Sequence, residues 1–172
     1  MSKVKAQIPN MFTFLNLTLG ILAIISILGE AYRLSALLIL VAAFMDRFDG
    51  KLARKFDAES DFGKELDSLC DLISFGVAPA ILIWSFHLAS VGVIGLVIIV
   101  LFAISGAYRL AKFNIIEFEG VYLGIPITLC GGIVALISLY ASQYPTSVYF
   151  TGITMLFLSY AMISKRIKLK KR

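Results

Sequence analysis

The sequence predicts an all-α integral membrane protein of six transmembrane helices, with both termini on the cytoplasmic side. Three observations carry that prediction. Of the 172 residues, 59% are hydrophobic and the mean hydropathy is +0.90, more apolar surface than a water-soluble domain of this size can hide. Long uncharged runs alternate with short charged or turn-rich segments. Threading the chain six times through a bilayer also puts fifteen of its sixteen basic residues on one side, as expected when Lys and Arg are retained in the cytoplasm.

A membrane-spanning helix needs about 20 mostly apolar residues. Met11 to Gly29 is uncharged and supplies the first span. Leu34 to Met45 is uncharged over only twelve residues, so the second span must continue into the charged stretch and end near Phe56. Leu72 to Tyr108 is too long for one crossing and breaks at "FHLAS", residues 86–90, giving the third and fourth spans. Gly120 to Ser164 breaks at "SQYPTS", residues 142–147, giving the fifth and sixth. Pro79 is expected to kink the third helix and Pro126 to lie near the start of the fifth. The glycines of "GVIG" (92–95) and "CGG" (130–132) read as helix-packing positions.

Residues 1–172 read as a single membrane domain, multi-pass in the cell membrane and surrounded by membrane lipids. The net charge of +5 then needs no nucleic-acid partner. The "KRIKLKKR" tail is a topology anchor that favours anionic headgroups. Cys70 and Cys130 both fall within predicted spans, which argues against a disulfide. His87, the sole histidine, falls on the outer side and reads as structural.

Thirteen of the chain's twenty-seven charged side chains lie between Asp46 and Asp71. Asp46, Asp49, Gly50, Ala53, Arg54 and Asp57 recur at three- and four-residue steps, one broad face of a helix. Gly63, Asp67 and Asp71 step by four on the next helix. Consecutive antiparallel helices joined by a short loop lie side by side, so the two acidic faces can meet just inside the cytoplasmic boundary. Asp57, Glu59, Asp61 and Glu65 read instead as a solvated loop. Acids at the edge of hydrocarbon are costly and mark function. Asp46, Asp49, Asp67 and Asp71 suit a cage for two hard divalent cations, Mg²⁺ or Mn²⁺, which commonly bind through carboxylates and substrate phosphates and serve in-line displacement at phosphorus. Arg54 can offer its planar fork to a phosphate. Gly50, Ala53 and Gly63 allow close approach.

The spacing D46-x2-D49-G50-x2-A53-R54-x8-G63-x3-D67-x3-D71 resembles, at all eight positions, the signature of the CDP-alcohol phosphatidyltransferases. These are membrane enzymes of phospholipid synthesis. The resemblance implies that a CDP-lipid binds with its diphosphate at the metals, and that an alcohol attacks the lipid-side phosphorus and releases CMP. By position, Asp46 and Asp67 would bridge both metals, Asp49 would complete one site, and Asp71 would ligate the other and accept the hydroxyl proton. Gly50, Arg54 and Ser60 would contact the CDP moiety. "IPNMFTFLN" (8–16) resembles the family's entry into the first helix, where Asn10 and Thr13 could face the nucleotide or simply cap and anchor the helix.

"YRLAKFN" (108–114) and "YLGIPIT" (122–128) resemble the corresponding segments of membrane-embedded phosphatidylserine synthases. That points to L-serine as the acceptor. A serine carboxylate wants Arg or Lys, and Arg109 and Lys112 lie three residues apart on one helix face; Asn114 could bond the serine or end the helix. Glycerol phosphate or an inositol derivative is the alternative acceptor. A divalent-cation pathway is the alternative from another class, although helices five and six offer almost no polar groups for one. Relatives are often homodimers, and a homodimer is compatible with the sequence, which selects no surface for it.

Overall fold

The computed structural model describes residues 8–55, 60–115, 121–164, 166 and 168–170; the side chains of residues 8–10, 48–55, 121–123 and 168–170 fall outside that description. Helix α1 (Ile8–Leu28) turns through Gly29 and Glu30 into α2 (Tyr32–Lys55). The turn is tight: Ala31 N–H donates to the Ser26 carbonyl at 2.8 Å, and Glu30 takes a positive φ of 58°. So short a connection makes α1 and α2 antiparallel neighbours, and they form the most extensive helix pair in the molecule.

The next rod is continuous from Asp61 to Phe86 but changes its winding on the way. Ser60 caps α3 (Asp61–Asp71) by accepting from Gly63 N–H at 3.0 Å, which satisfies one orphan donor of the first turn. A π-helical segment, Leu72–Val77, follows, and then α4 (Ala78–Phe86). Pro79 explains the wide turn. It has no N–H to give the Phe75 carbonyl four residues back, and its ring crowds that carbonyl. The helix relaxes one bond wider, with Ala78 N–H reaching Ile73 O. The expected kink is therefore a widened turn just ahead of the proline. Gly131 of α6 fits against the displaced strand of backbone: a Cβ there would lie 2.6 Å from Phe75 O.

After His87 a 3₁₀ turn (Leu88–Val91) and Gly92, at φ 59°, lead into α5 (Val93–Ile115). Strand β1 (Val121–Leu123) precedes α6 (Ile127–Ala141), which starts directly after Pro126. Then come α7 (Val148–Ile163) and strand β2 (Lys168–Lys170). The strands form one antiparallel ribbon with Tyr122 opposite Leu169. Apart from that three-residue pairing, which takes in part of the basic tail, the described secondary structure is helical as expected. Two of the glycines read as packing positions are not. Gly92 makes the turn, and a Cβ on Gly92 or Gly132 would meet nothing within 4 Å, whereas Gly95 and Gly131 do sit against backbone.

The π-helical segment is the hub of the bundle, touching α1, α2, α5 and α6, and Phe75 at its centre is fully buried. Ile39, Leu82, Phe102, Ile127 and Met155 complete the core around it. Outward, α1, α5 and α7 expose apolar faces such as Ile21, Ile25, Val97, Ile104, Ile153 and Phe157. Exposed apolar area on that scale is untenable in water and natural in lipid. Three helical stretches are long and apolar enough to cross a membrane: Met11–Leu28, Asp61–Phe86 and Val93–Ile115. The remaining apolar helices, Ile127–Ala141 and Val148–Ile163, are shorter. Cys70 and Cys130 are buried and unbridged, and His87 Nδ1 lies 3.1 Å from Thr151 Oγ1, tying the α4 end to α7.

Candidate active site

Asp46 comes from α2, and Asp67 and Asp71 from successive turns of α3. One oxygen from each lies within 4.8 Å of the others. Asp46 and Asp67 are half-buried and Asp71 is buried. The helix-face reading thus brings three of its four acids together. Asp49, Gly50 and Arg54 occur in the sequence of α2 and Asn10 in that of α1, but their side chains lie outside the described residues.

Three carboxylates this close repel one another. At 4.8 Å and an effective dielectric near 20, each ionised pair costs at least about 3 kcal/mol. Asp46 and Asp71 are direct side-chain neighbours, an arrangement that two bare carboxylates resist unless a cation or a proton stands between them. Asp67 Oδ1 is buried and has no hydrogen-bond partner among the described residues. A buried acceptor left without a donor is expensive. An all-oxygen, all-anionic donor set of this kind fits a hard divalent cation, so the cluster can hold a metal.

Groups from three other helices surround the acids. Thr128, at the start of α6, stands beside the Asp46 carboxylate with its hydroxyl. Asn16 of α1, fully buried, donates from Nδ2 to Asp71 Oδ1 at 3.0 Å. Arg109 of α5 is close enough to feel the charge of Asp71 and to neighbour Cys130, and its Nε is buried without a partner among the described residues. Five helices therefore converge on one cluster of charge.

The other expected residues are distributed around it. Thr13 is buried, one turn before Asn16 on α1. Ser60 is occupied as the cap of α3. Asn114 donates from Nδ2 to Ser68 Oγ at 3.0 Å, and its carbonyl accepts from Lys64 Nζ at 3.4 Å, which fastens the end of α5 to α3. Lys112 sits 5.8 Å over the ring of half-exposed Tyr108. Of the two cations read as one pair, Arg109 faces the acids and Lys112 stacks along the helix.

Asn16 and Thr128 were not singled out from sequence. Each had a faint signal. Asn16 follows Asn10 and Thr13 at three-residue steps along α1, and Thr128 sits just after Pro126 at a helix start. Neither spacing says which acid the side chain will meet.

A family description for CDP-alcohol phosphatidyltransferase matches residues 6–164. The CDP-diacylglycerol–serine O-phosphatidyltransferase of Bacillus subtilis is 38% identical over 159 residues, covering 92% of this chain and 87% of that protein. The enzyme of the same name from Methanocaldococcus jannaschii is 40% identical over 120 residues, covering 70% of this chain and 54% of its own length. That of Helicobacter pylori is 35% identical over 159 residues, covering 90% and 66%. This chain therefore spans most of the Bacillus protein and between about half and two thirds of the other two.

Proposed function

Because the chain belongs to the CDP-alcohol phosphatidyltransferase family, we propose that it transfers the phosphatidyl group of a CDP-lipid to the hydroxyl of L-serine. The observation that carries this reading is the meeting of Asp46, Asp67 and Asp71 within 4.8 Å with Arg109 alongside. Acids gather cations for a diphosphate, and the neighbouring guanidinium suits the single carboxylate of serine, whereas a phosphorylated polyol would want a denser basic pocket.

In the reaction, the serine Oγ attacks the lipid-side phosphorus. The new P–O bond forms as the bond to CMP breaks, and CMP leaves with that electron pair. The hydroxyl proton passes to Asp71, the acid nearest Arg109. Asp46, Asp49, Asp67 and Asp71 would hold two divalent cations, Mg²⁺ or Mn²⁺; when bound, these supply neutralisation of the charge that builds on the diphosphate oxygens. Gly50, Arg54, Ser60, Asn10 and Thr13 would contact the CDP moiety. Arg109 takes the acceptor carboxylate through its fork, while Lys112 and Asn114 shape the same end of α5.

Residues 1–172 act as one domain of six spans, α3 through α4 counting as one, with both termini and the site at the cytoplasmic face of the cell membrane. The distribution of Lys and Arg supports that orientation. The protein works among membrane lipids, and a homodimer is compatible with its exposed apolar faces.

The test is an acceptor competition. Purified protein receives CDP-diacylglycerol, Mn²⁺ or Mg²⁺, and equimolar radiolabelled serine, glycerol 3-phosphate and inositol 1-phosphate. Serine should dominate the lipid product, with one CMP released per lipid formed. Product from glycerol phosphate or inositol phosphate alone would reassign the acceptor, and CMP release with no lipid product would overturn the transfer.

A further inference from the structure

Asp71 is held from behind. Its Oδ1 accepts from Asn16 Nδ2 at 3.0 Å in a fully buried contact between α1 and α3. An ionised carboxylate only accepts hydrogen bonds, so the amide must present its nitrogen to Asp71. The amide oxygen is then turned away, and it is buried with no partner among the described residues. A buried acceptor left without a donor is unfavourable. The Asn16 orientation is tolerated because its nitrogen end is fixed.

The backbone beneath is fixed as well. Ser74 Oγ, in the π-helical segment just after Asp71, donates to the Asn16 carbonyl at 3.0 Å. One turn along α1, Gly20 faces the same serine, and a Cβ at Gly20 would fall 2.9 Å from Ser74 Cα. Asn has a short side chain, so its amide reaches Asp71 only if the two backbones come this close. Gly20 permits the approach, Ser74 pins it, and Asn16 uses it.

We propose that Asn16 is a positioning residue that fixes the Asp71 carboxylate, with Gly20 and Ser74 as the contact that brings it within reach. Its nitrogen occupies one oxygen of Asp71 and sets the plane of the carboxylate. The other oxygen is thereby directed at the acid cluster. Partners that orient a ligating group typically contribute 10–100-fold in metal affinity or activity. The proposal rests on the functional reading above, and its test separates the two.

Wild type, Asn16→Ala, Asn16→Leu, Gly20→Ala and the Asn16→Ala/Gly20→Ala double variant would be purified in detergent. Mn²⁺ affinity would be read from the electron paramagnetic resonance signal of free Mn²⁺, alongside thermal unfolding in EDTA, kcat, and KM for CDP-diacylglycerol and serine. Asn16→Leu keeps the approximate side-chain shape and removes the donor, so it serves if the alanine variant fails to fold. Mn²⁺ affinity and kcat should fall by about 10–100-fold in the folded Asn16 variants, with the loss in kcat exceeding the rise in either KM. Gly20→Ala should give a weaker form of the same loss, and the double variant should be no worse than Asn16→Ala, the non-additivity expected of residues acting through one contact. Wild-type Mn²⁺ affinity and kcat in a folded Asn16 variant, or a loss confined to unfolding temperature, would overturn the proposal. If wild type binds Mn²⁺ but makes no lipid from any alcohol, the functional reading fails, and the Mn²⁺ comparison still decides Asn16.

Discussion

Replacing Asp67 by Asn should change the protein's stability in opposite directions with and without metal. Asp67 lies with Asp46 and Asp71 inside 4.8 Å, and Asp46 is its chief charged neighbour. Each ionised pair is worth at least about 3 kcal/mol of repulsion at an effective dielectric near 20. Proton uptake relieves part of that in the metal-free protein, leaving a gain of roughly 1–2 kcal/mol when the charge is removed. At about 2–4 °C per kcal/mol for a chain of this length, Asp67→Asn should unfold several degrees higher in EDTA. With Mn²⁺ at a hundred times its dissociation constant, wild type gains about 2.7 kcal/mol. The variant forfeits most of that and should unfold lower than wild type. CMP release should fall by at least about 10²-fold, the scale seen when one electrostatic stabiliser of a transition state is lost. The assay is thermal unfolding in detergent, in EDTA and across a Mn²⁺ series, with CMP release measured on the same samples. If the variant has the same rank in both conditions, the three carboxylates are not a metal-binding unit.

Thr128→Val keeps the shape of the side chain and removes the hydroxyl that stands beside Asp46; activity should drop about 10-fold or more, with little change in unfolding temperature in EDTA. Arg109→Lys retains the charge and loses the planar fork, so KM for serine should rise by about 10-fold or more, the scale of one charged hydrogen bond, while KM for CDP-diacylglycerol and Mn²⁺ affinity hold. Gly131→Ala places a methyl 2.6 Å from Phe75 O, a backbone atom that cannot swing aside. Overpacking of that kind costs about 1–3 kcal/mol, and since α6 also carries Thr128, thermal unfolding and turnover should fall together.

The acid cluster was legible because much of its information is local. Asp67 and Asp71 share one face of α3 by helical period, and the preceding helix carries Asp46 at its own charged turn, both of which can be read from spacing. Asn16 is different. It meets Asp71 from 55 residues away, through a contact that depends on Gly20 lying against Ser74. Nothing in the apolar run of α1 marks which face will do so. The same limit applies on α5, where a helical wheel puts Arg109 and Lys112 on one face. Lys112 has a flexible stem and finds the ring of Tyr108; Arg109 is drawn to the buried charge of Asp71. Pro79 announced a distortion, yet the form it took, a widened turn at Leu72–Val77, has Gly131 opposite Phe75 to make room for it. The tail was read only as charge, because a period-two pairing between Val121–Leu123 and Lys168–Lys170 is masked by so many lysines.

These limits follow a division of labour within the site. The acids that gather charge come from two consecutive helices, Asp46 from α2 and Asp67 with Asp71 from α3. The groups that orient them, Asn16 from α1, Thr128 from α6 and Arg109 from α5, arrive from distant parts of the chain and meet only because the π-helical segment packs against all three helices. Cation binding and acceptor choice should therefore be separable. A change on α2 or α3 removes the charge on which every step depends. A change at Arg109 alters what stands next to Asp71 and leaves Asp46 and Asp67 where they are. Acceptor preference should accordingly shift with substitutions on α5 at constant Mn²⁺ affinity, whereas no substitution at Asp46 or Asp67 should shift preference without first weakening the metal.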